Sequence, residues 1–138
     1  NMNLLKVETD LRKAIERNEF RVYYQPIICL KTGKIKEFEA LIRWLHPEYG
    51  LILPYEFIGI AEETGLVIQM GEWILEEACH QTKQWQESVP GFQDISISVN
   101  LSSKQLMHPF LNSQVRNILT KTKLNPKNLR LEVTESTV

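Results

Sequence analysis

The sequence predicts an α/β fold built on a largely parallel sheet, and two features of its hydrophobic pattern indicate this. Segments in which apolar and polar residues alternate are separated by segments in which apolar residues recur every three or four positions. After an opening pair of strands, the order is strand, helix, strand, helix, strand, which favours parallel strands joined by crossover helices. With 138 residues, of which 43% are hydrophobic and 24% charged, the chain can bury a core.

The chain begins with a predicted amphipathic helix and continues into two strands. Apolar positions in residues 4–18 follow helical spacing, and we interpret residues 1–18 as a leading connector helix. We expect this helix either to arrive from an upstream domain or to pair with a second copy of itself. The alternative is that it packs on its own domain. Residues 20–30 and 34–44 are rich in β-forming residues, and the "KTGK" segment that joins them predicts a tight turn. These two strands therefore form a hairpin or lie close together.

Three helices and two further strands are predicted after this pair. Pro54 suits a first helical turn and Gly65 a helix end, which predicts a short helix over residues 53–65. Residues 69–88 and 109–124 each have an apolar helical face, while residues 94–102 and 129–135 alternate as strands. The aromatic residues interpreted as core and helix-packing residues are Tyr23, Tyr24, Trp44, Trp73 and Trp85.

The polar residues of the three main strands share one face. Alternate residues of a strand point to the same side, so the apolar residues of each strand form a face for covering helices. The opposite face carries Glu39, Asn100 and Glu132, together with Glu37 and Arg43. If the sheet curls into a barrel, the strand ends meet at the mouth where barrel enzymes hold their chemistry. Two carboxylates and an amide oxygen suit Mg²⁺, Mn²⁺ or Ca²⁺; the alternative is a set of solvated strand residues.

Composition and motif spacing argue against several functions. The net charge is −1 and the basic residues are dispersed, so neither DNA nor RNA is an expected partner. No apolar run approaches the roughly 20 residues of a membrane-spanning helix, so we expect no membrane contact from this segment. Cys29 and Cys79 are interpreted as buried thiols of a protein in a reducing cytoplasm. The histidines lack metal-binding spacing and are interpreted as surface or capping residues; they are His46, His80 and His108.

Four ordered sequence blocks carry a resemblance to a known family. The blocks are "YYQPI", "EFEALIRWLHPEYGLILPYEFIGIAEETGLV", "SVNLS" and "LRLEVTES". In this order and spacing they resemble the EAL-domain family, bacterial phosphodiesterases that hydrolyse cyclic di-GMP to linear pGpG. The resemblance implies a TIM-type (β/α)8 barrel, of which residues 19–138 supply about the first half, strands 1–4 with their crossover helices.

The resemblance also implies roles for individual residues. The implied metal ligands, for a site of two Mg²⁺ or Mn²⁺ ions, are Glu39, Asn100 and Glu132. Glu39 and Glu135 would be catalytic, with Glu135 orienting the site, and Gln25 and Arg43 would contact the dinucleotide. Arg43 lies about 13 Å from Glu39 along an extended strand, so it would reach another part of the ligand rather than the same metal.

The resemblance further implies a larger protein. The family places further metal ligands and a catalytic lysine beyond the position of Val138, so the 138-residue chain is expected to be inactive by itself. Half of a barrel has open strand edges, which predicts a homodimer or another form of self-association. A diguanylate-synthesising GGDEF domain or a sensory domain is expected upstream, in a cytoplasmic protein or in one tethered to a membrane.

Three functions stay open from the sequence. The first is an active cyclic di-GMP phosphodiesterase, which the intact motif residues favour. The second is a catalytically silent EAL domain that binds the nucleotide as a sensor or interaction module. The third is a barrel hydrolase acting on another phosphoester, which would explain the strand pattern but not the four blocks.

Overall fold

The helices and strands occur in the predicted order. The computed structural model describes residues 3–133. The helices are α1 (Leu4–Ala14), α2 (Pro54–Thr64), α3 (Leu66–Ser88), α4 (Ser103–Leu106) and α5 (Leu111–Thr122). The strands are β1 (Phe20–Ile28), β2 (Ile35–His46), β3 (Gly50–Ile52), β4 (Ser96–Leu101) and β5 (Leu129–Val133), and a short 3₁₀ helix, Pro126–Asn128, precedes β5. The α/β fold class is confirmed. Within residues 3–133, no helix combines the length and apolar character needed to cross a membrane.

Within this range the sheet has five strands and is mixed rather than wholly parallel. β1, β2, β4 and β5 lie side by side in that order. β1 runs antiparallel to β2, as in the predicted hairpin, whereas β4 runs parallel to both β2 and β5. β2 pairs with β4 through residues 37–40 and with β3 through residues 44–46. β2 and β4 therefore separate beyond Ala40.

Two short elements and one helix boundary differ from the sequence prediction. β3 and α4 span only three and four residues, too few for a periodic pattern to show. α3 begins at Leu66 rather than Gln69, because Gly65, at φ +80°, ends α2 and begins α3 without a spacer. The first turn of α3 thereby buries Leu66 and Val67.

The helices cover the apolar face of the sheet and bury two groups of side chains in the described part of the chain. In the first group, Phe20 of β1 and Trp44 of β2 pack with Phe57 of α2, and the three ring centroids lie 5.6 to 6.0 Å apart. In the second group, Ile97 and Val99 of β4 pack with residues of α3 and α5. The structure thus confirms the predicted apolar face of the strands.

Two residues that were predicted to be buried are partly exposed. Tyr23 is 46% exposed, because its position on β1 places it on the side of the sheet away from the helices. Cys29 is only partly buried, whereas Cys79 is buried in α3, and burial raises the pKa of the Cys79 thiol to about 12. Tyr24 does belong to the core: its ring lies 4.9 Å from that of Trp85, and burial raises the pKa of its hydroxyl group.

Helix α1 docks on this domain through an apolar stripe and one buried polar contact. Val7, Leu11 and Ala14 are buried. Beside them, Asp10 Oδ2 lies 2.6 Å from His46 Nε2 at the end of β2. His46 Nδ1 accepts hydrogen bonds from two backbone N–H groups of residues 48 and 49, so Nε2 carries the proton and donates it to Asp10. His46, interpreted from the sequence as a surface or capping residue, does cap the turn at residues 48 and 49, but it is buried and joins β2 to α1.

We expect Asp10→Asn to lower the free energy of unfolding by about 1 kcal/mol at pH 7. The hydrogen bond from His46 holds the pKa of Asp10 below its usual range, so this stabilisation is present above about pH 4 and is lost as pH falls through the folded-state pKa. The difference in stability between wild type and variant should therefore shrink as pH falls below about 4. Urea unfolding at several pH values measures this difference.

The control is Glu8→Gln, which removes an exposed ion pair on the same helix and should change the stability little. A stability difference between wild type and Asp10→Asn that is constant with pH would contradict the assigned hydrogen bond between His46 and Asp10.

Candidate functional site

The side of the sheet opposite the helices carries most of the predicted site residues, and we call it the site face. Strand alternation and the pairing register place alternate residues of β1, β2, β4 and β5 on it. Its members include Tyr23, Gln25, Glu37, Glu39, Arg43, Ser98, Asn100, Arg130 and Glu132.

Three of these residues, Glu39, Asn100 and Glu132, form what we call the upper row. Glu39 lies near the end of the β2 segment that pairs with β4, and the other two lie near the C-terminal ends of β4 and β5. Asn100 Nδ2 donates a hydrogen bond to Glu39 Oε2 at 3.1 Å, and Asn100 and Glu132 are direct neighbours in the strand register. The structure thus places the three predicted metal ligands on adjacent strands of one face. Glu135 lies outside the described residues.

Glu37, Ser98 and Arg130 form the lower row, two residues before the upper row on the same strands. Ser98 Oγ donates a hydrogen bond to Glu37 Oε2 at 2.9 Å, and Arg130 Nη1 lies 3.3 Å from Glu37 Oε1. Glu37 and Ser98 are buried. The sequence pattern places these residues on this face but gives no sign of their mutual contacts, because contacts across strands depend on the pairing register.

The two predicted substrate-binding residues lie at different distances from the upper row. Gln25 is exposed and is the β1 partner of Glu39 in the strand register. Arg43 lies four residues further along β2, where its Nη1 donates to the Ile42 carbonyl oxygen at 2.9 Å. The guanidinium carbon of Arg43 lies 5.4 Å from the centre of the Tyr23 ring. Tyr23, interpreted from the sequence as a core residue, is therefore a further residue of the candidate site.

A cavity of about 310 Å³ opens where β2 and β4 separate. Leu41 and Asn100 line its sheet side, while Pro54, Met70 and Gln105 from the surrounding helices line other parts, and the lining is mainly apolar. Asn100 belongs both to this cavity and to the upper row, so the two are adjacent. A mainly apolar cavity beside a few polar groups is typical of binding sites for small organic ligands. The sequence analysis missed the cavity because it results from the change of partner along β2.

Gln105 closes one side of this cavity and packs on a glycine. Its side-chain oxygen accepts a hydrogen bond from the Ser102 backbone N–H at 2.9 Å, and Ser102 Oγ accepts one from the Gln105 backbone N–H at 3.3 Å. This capping box begins α4, and the Ser102–Gln105 spacing is a sequence signal that could have predicted the helix. A Cβ added to Gly71 of α3 would lie 1.5 Å from Gln105 Nε2, so only glycine fits there without rearrangement.

The upper row has the kind of oxygen atoms that a hard divalent ion binds. Glu39 and Glu132 supply carboxylates, and Asn100 supplies an amide oxygen, since its amide nitrogen is the group that contacts Glu39. Across residues 3–133, there is no cluster of three or more His, Cys, Asp or Glu side chains able to hold a metal. In ligand type the upper row fits a hard divalent ion such as Mg²⁺, Mn²⁺ or Ca²⁺, with the remaining coordination positions left to other groups or water.

Helices cover one face of the sheet, and oxygen-bearing side chains lie near the strand ends on the other face. This is the architecture of a barrel-type α/β domain with a candidate metal site. The particular family follows from sequence comparison. The family model described as the EAL domain matches residues 8–138, so the chain belongs to the EAL domain family. This confirms the resemblance inferred from the four sequence blocks.

Individual relatives and solved structures agree with this assignment. The chain is 47% identical over 133 residues to the bifunctional diguanylate cyclase/cyclic di-GMP phosphodiesterase MucR of Pseudomonas aeruginosa, covering 96% of this chain and 19% of MucR. It is 34% identical over 132 residues to the cyclic di-GMP phosphodiesterase PdeR of Escherichia coli, covering 96% and 19%. The solved PaMucR phosphodiesterase in complex with c-di-GMP has a TM-score of 0.90 at 46% identity, over 96% of this chain and 53% of that chain. The chain thus spans about a fifth of these curated relatives and about half of the solved structure.

We expect Gly71→Ala in α3 to destabilise the domain by about 1 kcal/mol, because the new methyl group displaces the end of the Gln105 side chain and disturbs the capping box of α4, a loss that exceeds the gain from alanine as a helix former. The matched control is Gly59→Ala in α2, where no atom lies within 4 Å of the added Cβ. Alanine is the better helix former, so this control should gain about 0.5–1 kcal/mol. Urea unfolding measures both changes, and equal effects at the two positions would count against the close packing of Gln105 on Gly71.

Proposed function

We propose that this chain forms part of a metal-dependent phosphodiesterase domain that hydrolyses cyclic di-GMP to linear pGpG. The observation that carries the proposal is the contact of Asn100 with Glu39 beside Glu132, in a chain of the EAL domain family. The 47% identity to MucR, which is named as a cyclic di-GMP phosphodiesterase, supports the substrate. The proposal divides the chain into a connector helix, residues 1–18, whose α1 part docks on the domain, and the N-terminal half of the domain, residues 19–138.

The upper row would hold Mg²⁺ or Mn²⁺ through Glu39, Asn100 and Glu132. When bound, such ions supply an acidified water molecule and neutralise charge that develops on the phosphate. The hydrogen bond from the Asn100 amide nitrogen holds the Glu39 carboxylate in place and does not engage the Asn100 side-chain oxygen. Glu135 is proposed to orient the site. Because the chain covers only 53% of the solved PaMucR phosphodiesterase, we further propose that residues outside the 138 of this sequence complete the ligand set and that these 138 residues alone are inactive.

Arg43 and Gln25 would bind the dinucleotide outside the metal site. A guanidinium group can hold two phosphate oxygen atoms through parallel hydrogen bonds, which an ammonium group cannot do. The Tyr23 ring beside Arg43 restricts where its guanidinium group lies. The cavity beside Asn100 is proposed to accept one of the planar bases, because it is mainly apolar and adjoins the upper row.

The wider context of the domain is also part of the proposal. The MucR name includes a diguanylate cyclase activity, and this chain covers only 19% of MucR, which supports a GGDEF or sensory domain upstream. Location in the cytoplasm and self-association of the chain stay predictions from the sequence.

The second candidate function is a domain that binds cyclic di-GMP without hydrolysing it. It rests on the likeness to the solved EAL domain of FimX from Pseudomonas aeruginosa, with a TM-score of 0.79 and 27% identity, which is described only as bound to c-di-GMP. The geometry described above would serve binding as well as hydrolysis.

We expect the natural-length protein to hydrolyse cyclic di-GMP only with Mg²⁺ or Mn²⁺, and Glu39→Ala to lower the rate by about 10³-fold, since several kcal/mol of charge stabilisation depend on the metal. Chromatography of the linear pGpG product, with and without a chelator, measures this. Glu63→Ala, an exposed carboxylate of α2, is the control and should retain the wild-type rate. Nucleotide binding without hydrolysis in the presence of either ion would favour the sensor function instead.

We expect Arg43→Lys to raise KM for cyclic di-GMP about 10-fold with little change in kcat. The variant keeps the positive charge but loses the paired hydrogen bonds to phosphate, a loss of about 1.4 kcal/mol in binding. Steady-state kinetics separates the two constants, and Arg116→Lys on the exposed side of α5 is the control. A fall in kcat at unchanged KM would place Arg43 in the chemical step rather than in binding.

A further inference from the structure

The lower row lies immediately next to the proposed metal ligands but has no part in the function proposed above. Each of its members, Glu37, Ser98 and Arg130, precedes an upper-row residue by two positions on the same strand. Two residues of a strand span about 6.6 Å, so the two rows are consecutive layers of side chains on the site face. The lower row is therefore in a position to control how the upper row is arranged.

Glu37 is the centre of the lower row because it contacts both other members. Its side chain is 10% exposed, whereas that of Arg130 is 64% exposed. Ser98 Oγ donates to Glu37 Oε2 at 2.9 Å, and Arg130 Nη1 lies 3.4 Å from the same oxygen and 3.3 Å from Oε1. The oxygen atoms of a carboxylate removed from water need such hydrogen-bond donors as partners. Glu37 therefore connects β2 to β4 and β5, the three strands that carry the upper row.

Both rows show the same stagger between β2 and β4. In the strand register Glu39 pairs with Ser98, yet the Glu39 carboxylate contacts Asn100, two residues further along β4. Glu37 pairs with Ser96 in the register and likewise contacts Ser98, two residues further along. A sliding movement of β4 along β2 would therefore break the hydrogen bonds of both rows together.

We propose that Glu37 is a positioning residue for metal binding. Its contacts with Ser98 and Arg130 set the relative placement of β2, β4 and β5, and thereby hold Glu39, Asn100 and Glu132 at distances suited to one divalent ion. This inference rests on the proposed function, in which the upper row holds Mg²⁺ or Mn²⁺. Residues that support metal ligands from behind commonly change metal affinity 10- to 100-fold when they are removed.

A positioning role and a simple charge effect predict different results for the two charged members. If only charge mattered, loss of the negative Glu37 would weaken binding of a cation, while loss of the positive Arg130 would strengthen it. If placement matters, loss of either partner weakens binding, because each loss releases the same connection between strands. The sign of the Arg130 effect therefore separates the two explanations.

The test measures Mn²⁺ binding by the natural-length protein without nucleotide, using electron paramagnetic resonance of the free ion. We expect Glu37→Gln and Arg130→Met each to raise the dissociation constant for Mn²⁺ about 10-fold. The double variant should bind no more weakly than the weaker single variant, because the two residues act as one unit. Arg130→Lys keeps the charge beside Glu37 and should bind within about twofold of wild type.

Asp10→Asn is the control for a general loss of stability. It weakens the contact between α1 and β2, away from both rows, so its Tm should fall while its affinity for Mn²⁺ stays at the wild-type value. Thermal unfolding of every variant is recorded alongside the titration, and affinities are measured well below each Tm.

Three results would overturn the inference, and they are distinguishable. Tighter Mn²⁺ binding by Arg130→Met would show a charge effect. Unchanged affinity in Glu37→Gln and Arg130→Met, with lowered Tm, would show a purely structural role. A wild-type protein that binds neither Mn²⁺ nor Mg²⁺ would overturn the proposed function and this inference together, whereas the first two results leave the proposed function intact.

Discussion

The pairing of β2 with β4 through residues 37–40 is the constraint on which the rest of the structure depends. It places Phe38 and Ala40 against the helices and Glu37 and Glu39 on the opposite side. A slip of one residue would exchange these sets, because strand side chains alternate, and would put carboxylates into the core. The burial of apolar residues thus specifies the face of β2 that carries Glu37 and Glu39, and the stagger of β4 along this segment brings Asn100 to Glu39. The same strand pairing therefore supports both the core and the site.

β2 is also the element to which most other parts of the domain attach. It pairs with β1, β3 and β4, carries the buried Trp44, and ends at His46, which holds α1. Because several neighbours restrain it, Glu39 and Arg43 lie on a strand that cannot move independently of the core. Rigid support of this kind is what ligand-binding side chains need in order to keep a defined arrangement.

Much of this architecture follows from the periodicity of the sequence. The long helices and the paired strands have strong apolar patterns, so their order and the face carrying the upper row could be predicted. β3 and α4 could not, because three and four residues are too few to show a periodic pattern, although the Ser102–Gln105 cap was a usable signal. Tyr23 was assigned to the core on residue type, whereas alternation along β1 places it on the site face with Gln25.

The parts of the site that the sequence did not predict depend on distances between strands. The contacts of Glu37 with Ser98 and Arg130, and the cavity beside Asn100, require knowledge of how β4 is staggered along β2. Alternation specifies only the side of a strand on which a residue lies. The roles of Gln25, Arg43 and the upper row remain predictions, and Glu135 falls outside the described residues.

The absence of a spacer between α2 and α3 limits how this region of the sequence can change. Gly65 terminates one helix in a left-handed conformation and is followed directly by the first turn of the next. Each helical residue turns the chain by about 100°, since a turn takes 3.6 residues. A single residue added to the first turn of α3 would rotate its earlier part relative to its later part, and Leu66 and Val67 could not stay buried together with Met70. Variation in length is therefore better tolerated in the exposed turn between β1 and β2 than at this junction.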